Sequence, residues 1–274
     1  MPISALLLAL AAAVVHAGWN LLLSDERDTH SASAVALVVG TLVFAPVAVL
    51  GWRFDSTALP FAAGSTALEV LYMVLLATAY SVAAMAFVYP IARGTGPVLV
   101  LIAGAAVTGA GVSLPAALGV LLVAGGIVLV RGVHSSARPR NLALALGVGA
   151  CIAGYTLVDK HGIVHAAPVA YLEVVFGATA IAYLLGTWRA RGPAALRTAI
   201  SWRTVLAGIG FFGAYALTLA ALRLAPAASV AAVRESSVVI ATAVLALSGR
   251  EQVGAERVAG AVAVVAGIAL VSLG

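Results

Sequence analysis

The sequence predicts an all-α integral membrane protein with ten transmembrane helices, arranged as two inverted five-helix repeats. Three observations carry this prediction: the composition, a series of apolar runs and an internal repeat. The 274 residues are 63% hydrophobic and 9% charged, with a mean hydropathy of +1.13. Soluble domains carry roughly 25% charged residues, so a soluble protein is excluded. Disorder requires low hydrophobicity, and a single cysteine, Cys151, excludes a disulfide scaffold.

Ten apolar runs are separated by charges, prolines and turn residues. Each is close to the roughly 20 residues that a helix needs to cross the hydrocarbon core, and none alternates as barrel strands do. Because backbone amides in hydrocarbon must be satisfied internally, the runs are predicted to be helices. The predicted spans are 3–23, 32–51, 61–79, 82–108, 114–131, 142–159, 167–187, 204–222, 225–248 and 255–273.

The first span has a second interpretation as a secretory signal peptide that ends near Val15-His16-Ala17. No Lys or Arg precedes its apolar run, which exceeds the usual length of about 7–15 residues. The segment also has a counterpart later in the chain, as a discarded peptide would not. We therefore expect span one to be part of the folded protein.

The second half of the chain repeats the first at an offset of 141 residues. The aligned pairs are Arg93 with Arg234, Gly119 with Gly260, and Gly126 with Gly267. A slightly shorter offset aligns residues 17–21 with 153–157. Since each half holds five spans, an odd number, the halves must have opposite orientations, as in many secondary transporters. The predicted repeats are residues 1–132 and 142–274, joined by the basic segment from Arg131 to Asn141.

These features resemble the drug/metabolite transporter superfamily, in particular its ten-span members built from two EamA-type repeats. The resemblance rests on the five-plus-five layout, the matched spacing of Gly119 to Ile127 and Gly260 to Ile268, and Gly249-Arg250-Glu251 at the end of span nine. Gly109-Ala110-Gly111, in the first half, lacks the acid. The resemblance implies permeation of a solute, frequently a metabolite or an amino acid, without an ATPase.

The predicted function is a secondary transporter in the plasma or inner membrane. It would export a small polar or amphipathic metabolite, such as an amino acid, by alternating access, and proton coupling is a further hypothesis. The chain has no Gly-x-x-x-x-Gly-Lys-Ser/Thr phosphate loop, and no cofactor is predicted. Nucleic acid is not an expected partner because the arginines are scattered between the spans. The sequence does not decide the oligomeric state.

Two other classes stay open. An intramembrane enzyme would need a catalytic constellation, but neither His-Glu-x-x-His nor Gly-x-Ser-x-Gly occurs. The run Asp159-Lys160-His161 is interpreted as a solvated cluster at a span end. A structural or partner-binding subunit would need soluble domains or charged tails, whereas the longest predicted connection, from Trp188 to Arg203, has about 16 residues.

Ionisable side chains inside the spans are the first candidates for a site. Each costs at least about 2.5–3.5 kcal/mol near the bilayer centre, and such groups usually face a cavity or a partner. They are Glu69, Arg93, Glu173, Arg234 and Glu235, with His16 as a sixth. In one interpretation they pair with one another and fix the packing of the helices. In the other, the arginines hold an anionic group of the solute, and a glutamate holds an ammonium group or a coupling proton.

Neutral side chains complete the predicted substrate site. His16, Trp19 and Asn20 are spaced to share one helix face, either as a packing seam or as a cavity wall. A metal is not predicted, since no set of ligands accompanies His16. Span four is expected to be interrupted at the cavity by Pro90, Gly94, Gly96 and Pro97, next to Tyr89. Ser236 and Ser237 are expected to supply the polar lining in the other half.

Two further predictions concern packing and orientation. Ala259, Ala263 and Gly267 form a small-residue stripe that packs either within the monomer or between subunits. By alternate connections, ten Lys and Arg residues fall on one side and three on the other. The positive-inside rule then places the ten in the cytoplasm and both termini outside. The resemblance implies cytoplasmic termini instead.

Overall fold

The computed structural model describes residues 1–24, 26–83, 85–109, 111–131, 138–248 and 254–273. Within these residues the regular structure is α-helical, apart from a short 3-10 helix, Ser56–Ala58. The helices are α1 (Ile3–Ser24), α2 (Thr29–Leu50), α3 (Leu59–Val82), α4 (Met85–Thr108), α5 (Leu114–Arg131), α6 (Pro139–Gly162), α7 (Pro168–Thr198), α8 (Trp202–Leu224), α9 (Ala227–Arg234), α10 (Ser236–Leu247) and α11 (Ala255–Leu273). Among the described residues, nine segments are long and apolar enough to cross a membrane, with α9 and α10 forming one of them, and Leu114–Val130 is a shorter tenth. The predicted fold class of ten apolar helices is confirmed.

Successive spans run in opposite directions, so their connections alternate between two faces of the bundle. We call one of them the terminal face, because both chain ends lie there and the Met1 amino group donates to the Ser272 carbonyl at 2.9 Å. The connections 51–58 and 163–167 also meet on this face, paired by backbone hydrogen bonds. The opposite face holds the α1–α2 and α7–α8 connections. Helix α1 packs along α8 and contacts α9 and α10, so the first span is an integral part of the bundle.

The contacts between helices follow the predicted repeat. If the halves correspond in order, α1 matches α6, α2 matches α7, α3 matches α8, α4 matches α9 with α10, and α5 matches α11. Helix α1 packs along α8, and α3 packs along α6. These two contacts are equivalent, because α6 is the counterpart of α1 and α8 is the counterpart of α3. Helix α2 packs on its own counterpart α7, and α5 on α11. A two-fold axis between the halves would produce this pattern, which supports the predicted inversion.

Helices α5 and α11 meet through the four repeated glycines. A Cβ atom added to Gly126 would lie 2.7 Å from the carbonyl oxygen of Gly260, and one added to Gly260 would lie 2.7 Å from that of Gly126. Gly119 and Gly267 repeat this reciprocal contact. The packing surface within the monomer is therefore centred on Gly260 and Gly267. The predicted stripe shares Gly267 with this surface, whereas Ala259 is exposed.

The predicted interruption of span four is wrong. Helix α4 is continuous with Pro90 and Pro97 inside it, because neighbouring helices and hydroxyl side chains re-satisfy backbone groups that a proline leaves free. The break lies in the other half, at Glu235 between α9 and α10.

The predicted connection from Trp188 to Arg203 is mostly helical. Helix α7 continues through Trp188, bends at Gly192, which has a φ of 78°, and resumes from Pro193 to Thr198. A positive φ is readily adopted by glycine alone, so Gly192 supplies the turn without a long loop. The predicted motif Gly249-Arg250-Glu251 lies wholly outside the described residues. In its first-half counterpart, Gly109-Ala110-Gly111, Ala110 lies outside them. So do residues 132–137 of the predicted linker.

Candidate substrate cavity

A cavity of about 180 Å³ lies between the two halves of the chain. Its wall takes residues from α1, α2, α3, α4, α6, α8 and α9. It reaches Ser24 and Thr29, which are exposed side chains on the opposite face. Paired connections cover the terminal face, so the cavity opens towards the opposite face.

The cavity brings together seven of the ten predicted site residues. They are His16, Trp19, Asn20, Glu69, Tyr89, Arg93 and Arg234. Glu235 adjoins the cavity through a contact with Arg93. Glu173 and Ser237 are not on the cavity wall. The arginines that the repeat aligns therefore share one cavity, although they come from different halves.

Arg93 contacts side chains from α1, from its own helix α4 and from the break between α9 and α10. Its Nε lies 3.2 Å from Oε2 of Glu235, and both side chains are buried. Its Nη2 donates to Nε2 of His16, so His16 is neutral with this nitrogen unprotonated, because a guanidinium can only donate. The guanidinium also lies 5.6 Å from the ring centroid of Tyr89. The charges pair, as in the first interpretation, and they do so beside the cavity. That the arginines hold an anionic group of the solute stays a prediction.

Arg234 is arranged differently from Arg93. Its guanidinium lies 5.5 Å from the ring centroid of Tyr215, and its buried Nε makes no hydrogen bond within the described part of the chain. Glu69 lies on the same cavity wall and is 4% exposed. The wall thus presents a guanidinium donor and a carboxylate, both shielded from bulk water.

Aromatic rings that the sequence reasoning missed fill much of the remaining wall. They are Tyr72, Tyr155, Phe211 and Tyr215. Tyr155 lies edge-on to Tyr72 and to Tyr215, with centroid distances of 6.2 and 5.9 Å. The repeat contained a signal for one of them, because it aligns Tyr155 with the predicted site residue Trp19.

The stripe of His16, Trp19 and Asn20 is both a wall and a packing surface. The Trp19 ring contacts His16 and Phe211 edge-on, at centroid distances of 4.8 and 5.0 Å. Asn20 donates to the His16 carbonyl at 2.8 Å. The buried Nε1 of Trp19 has no hydrogen-bond acceptor among the described residues.

The serines predicted to line the second half do not do so. Ser236 donates to the Val233 carbonyl at 2.8 Å, beside the break at Glu235. Ser237 is buried away from the cavity wall. The polar lining of the second half comes instead from Tyr155, Tyr215 and Arg234.

The sequence predicted that Asp159 belongs to a solvated cluster, and this prediction is wrong. It is 0% exposed, and it accepts hydrogen bonds from Tyr171, at 2.9 Å, and from Tyr215. Lys160 donates to the carbonyls of Leu222 and Ala225, at the C-terminus of α8. The prediction failed because neither tyrosine is near Asp159 in sequence and both approach it only in the folded bundle.

The mouth of the cavity is bordered by an ion pair. Asp28 caps α2 by accepting from Ser31, and its Oδ1 lies 3.3 Å from Nη1 of Arg191, just before the bend in α7. Burial alone would raise the pKa of Asp28, but the hydrogen bonds from Ser31 and the attraction of Arg191 outweigh it and hold the pKa below its usual value. Asp28 is therefore a carboxylate at neutral pH.

The helices and the cavity define the class of protein: a multi-pass membrane protein with a cavity between its two halves that is lined by aromatic, aliphatic and ionisable side chains. Residues 140–273, which hold α6 to α11, match the EamA-like transporter family. An EamA-like transporter domain is thus detected in the second half of the chain, consistent with the drug/metabolite transporter superfamily, and the predicted resemblance is confirmed for this half.

Solved structures show the same fold. One, described as "Crystal structure of protein", has a TM-score of 0.76 and covers 98% of both chains at 17% sequence identity. At this identity it is evidence for the fold alone. None of the curated proteins compared with the chain matches it. In the described part of the chain, no group of three or more His, Cys, Asp or Glu side chains is arranged to hold a metal ion.

Proposed function

We propose that the chain is a secondary transporter that moves a small polar or amphipathic metabolite, such as an amino acid, by alternating access. One observation carries the proposal: Arg93 and Arg234, aligned by the repeat, reach one cavity from the two halves. Transporters built from inverted repeats bind their solutes near the midplane, between the repeats. The EamA-like domain favours this class over an intramembrane enzyme or a structural subunit.

The cavity has the chemistry to hold a zwitterion. The charge of Arg93 is offset by Glu235. Among the described residues Nε of Arg234 has no partner, and the guanidinium of Arg234 would bind a carboxylate group of the solute. Glu69 would hold the ammonium group. The rings of Trp19 and Tyr155 would pack against an apolar side chain of the solute. These roles deepen the predicted division between arginines that bind an anion and a glutamate that binds a cation.

We propose export as the direction. The cavity opens on the opposite face, where most of the loop arginines lie, and the positive-inside rule makes this face cytoplasmic. A cavity open to the cytoplasm loads solutes from inside a plasma or inner membrane. A C-terminal fusion to a reporter that is active only in the cytoplasm tests this orientation: it should be inactive, and an active fusion would reverse the direction.

The proposal is tested by measuring metabolites that leave cells expressing the chain. We expect at least one polar metabolite to accumulate in the medium, as detected by mass spectrometry. Arg234→Gln should lower this efflux by about tenfold or more, because one hydrogen bond to a charged group is lost. Arg223→Gln is the matched control, since Arg223 is exposed at the end of α8, and should leave the efflux unchanged. Equal efflux from the wild type and Arg234→Gln would contradict the proposed site.

A further inference from the structure

Asp159 lies near the terminal face, where helices α6 and α8 meet. Helices α6 and α8 do not pack along each other as α6 does with α3, or α8 with α1. Near the terminal face they are tied together by two side chains of α6. Tyr215 of α8 donates to Asp159, and Lys160 donates to the last carbonyls of α8, at Leu222 and Ala225.

The same positions in the other half of the repeat border the open mouth. The offset that aligns residues 17–21 with 153–157 also aligns Leu23 with Asp159 and Ser24 with Lys160. Leu23 and Ser24 line the cavity where it opens on the opposite face. One half therefore has an acid and a base that join two helices, and the other has an apolar and a small side chain beside an opening.

The chemistry of the cluster suits it to gain and lose a proton. As a carboxylate, Asp159 accepts one hydrogen bond on each oxygen, from Tyr171 and Tyr215. As a neutral acid it would donate to one of these hydroxyls, which can also accept. Each oxygen of Asp159 therefore keeps a tyrosine hydroxyl as its partner in either state. The difference is in strength, because a hydrogen bond to a carboxylate is about twice as strong as one to a neutral acid.

We propose that Asp159 is a proton-binding site that holds the cavity shut on the terminal face as a carboxylate and releases it on taking up a proton. This inference rests on the proposed alternating access. Loss of the charge weakens the bond from Tyr215, so that α6 and α8 separate on the terminal face. The halves then rock, and the ends of α1 and α3 close the mouth on the opposite face.

The surroundings couple this proton to the solute. The groups that face Asp159 are Ser65 and Glu69 on α3, Tyr171 on α7, Tyr215 on α8 and Arg234 on α9. Arg234 stabilises the carboxylate. A solute anion that binds Arg234 offsets this positive charge, which favours a proton on Asp159, and by reciprocity the proton favours the anion. The proton and the anionic group therefore each strengthen the binding of the other.

Cysteine labelling from each side of the membrane tests the proposal without knowledge of the solute. Thr218 lines the cavity one turn nearer the terminal face than Tyr215, and Thr218→Cys in a Cys151→Ala background gives a single reactive thiol. A membrane-impermeant maleimide should reach it only from the opposite face. In Asp159→Asn, which mimics the protonated acid, labelling from the terminal face should be about tenfold faster or more. Acidification should produce the same change in the wild type.

Two tyrosine variants separate a gate from a structural role. Tyr215→Phe removes the bond that α8 donates to Asp159 and leaves those of Lys160 in place; it should open the terminal face as Asp159→Asn does. Tyr171→Phe, the matched control, removes a bond from α7 and should keep it closed. Labelling that responds to neither Asp159→Asn nor acid would overturn the inference. So would faster labelling from both faces at once, which indicates loss of the fold.

The same vesicles distinguish this inference from the proposed function. Labelling that shifts as expected in a protein without any metabolite flux would contradict transport and leave the proton site standing. Normal flux with unresponsive labelling would contradict the proton site and leave transport standing.

Discussion

Arg93 and Glu235 form a buried ion pair between the two halves of the chain. They are 6% and 2% exposed, and Nε and Oε2 are 3.2 Å apart. Burial of a pair costs desolvation that the attraction only partly offsets, whereas removal of one partner leaves a buried charge alone. The pair therefore adds little to the free energy of unfolding, but replacement of either residue alone is expected to lower it strongly.

A substitution of one partner should cost far more stability than replacement of both. Glu235→Gln is expected to lower the free energy of unfolding by about 3–5 kcal/mol, since Arg93 is left buried and unpaired. Arg93→Met combined with Glu235→Met should recover most of that loss. Thermal unfolding of the detergent-solubilised protein measures both. Losses that simply add in the double variant would contradict the interpretation of the contact as a coupled pair.

Asp28 gives a residue-scale prediction about pH. Its pKa is lower in the folded protein than in the unfolded chain, so its contribution to stability is present above the unfolded pKa and is lost as the pH falls through the folded pKa. Asp28→Asn should destabilise the protein at neutral pH by up to about 1 kcal/mol and have little effect in acid.

The control for this prediction is Arg191→Gln, which removes the partner of the ion pair. It should reduce the effect of Asp28→Asn in the double variant, because the two changes then remove one shared interaction. Thermal unfolding measured from neutral to acid pH provides the comparison. An effect of Asp28→Asn that is the same at every pH would show that its charge is not involved.

At the scale of elements, the sequence predicted the helices well and their interruptions poorly. The length and hydropathy of the runs determine whether a helix spans the membrane, and both can be read locally. Whether a proline interrupts a helix depends on the neighbouring helices, and α4 keeps its course past Pro90 and Pro97. The break at Glu235 has no proline to mark it. There a tight turn, with Glu235 N bonded to the Ala232 carbonyl at 3.2 Å, separates α9 from α10.

The contact between α5 and α11 requires glycine at defined positions. Gly126→Ala would place a Cβ atom 2.7 Å from the Gly260 carbonyl oxygen, so the helices must move apart, at an expected cost of about 1–3 kcal/mol. Gly125→Ala is the matched control on the same helix, because nothing lies within 4 Å of the added atom. It should be neutral or slightly stabilising. Thermal unfolding compares the two, and equal effects would contradict the close packing.

At the scale of the whole molecule, the repeat is the sequence feature that locates the site. It pairs Arg93 with Arg234 along the chain, and the fold brings both to one cavity. The repeat does not reveal where the halves differ. The terminal face is held by Asp159 and Lys160, and their counterparts Leu23 and Ser24 border an opening, a difference that becomes visible only when the contacts of α6 with α8 are known.

Flux through the purified chain in proteoliposomes tests the central claim most directly, because no other protein is present. Vesicles loaded with a mixture of amino acids and other small polar metabolites are diluted into solute-free buffer, and the released solutes are identified by mass spectrometry. We expect release of a subset of zwitterionic solutes in unaltered form, a response to an imposed pH gradient, and loss of release in Arg234→Gln but not in Arg223→Gln. Release no faster than from protein-free vesicles, or release of chemically altered solutes, would contradict transport by this chain.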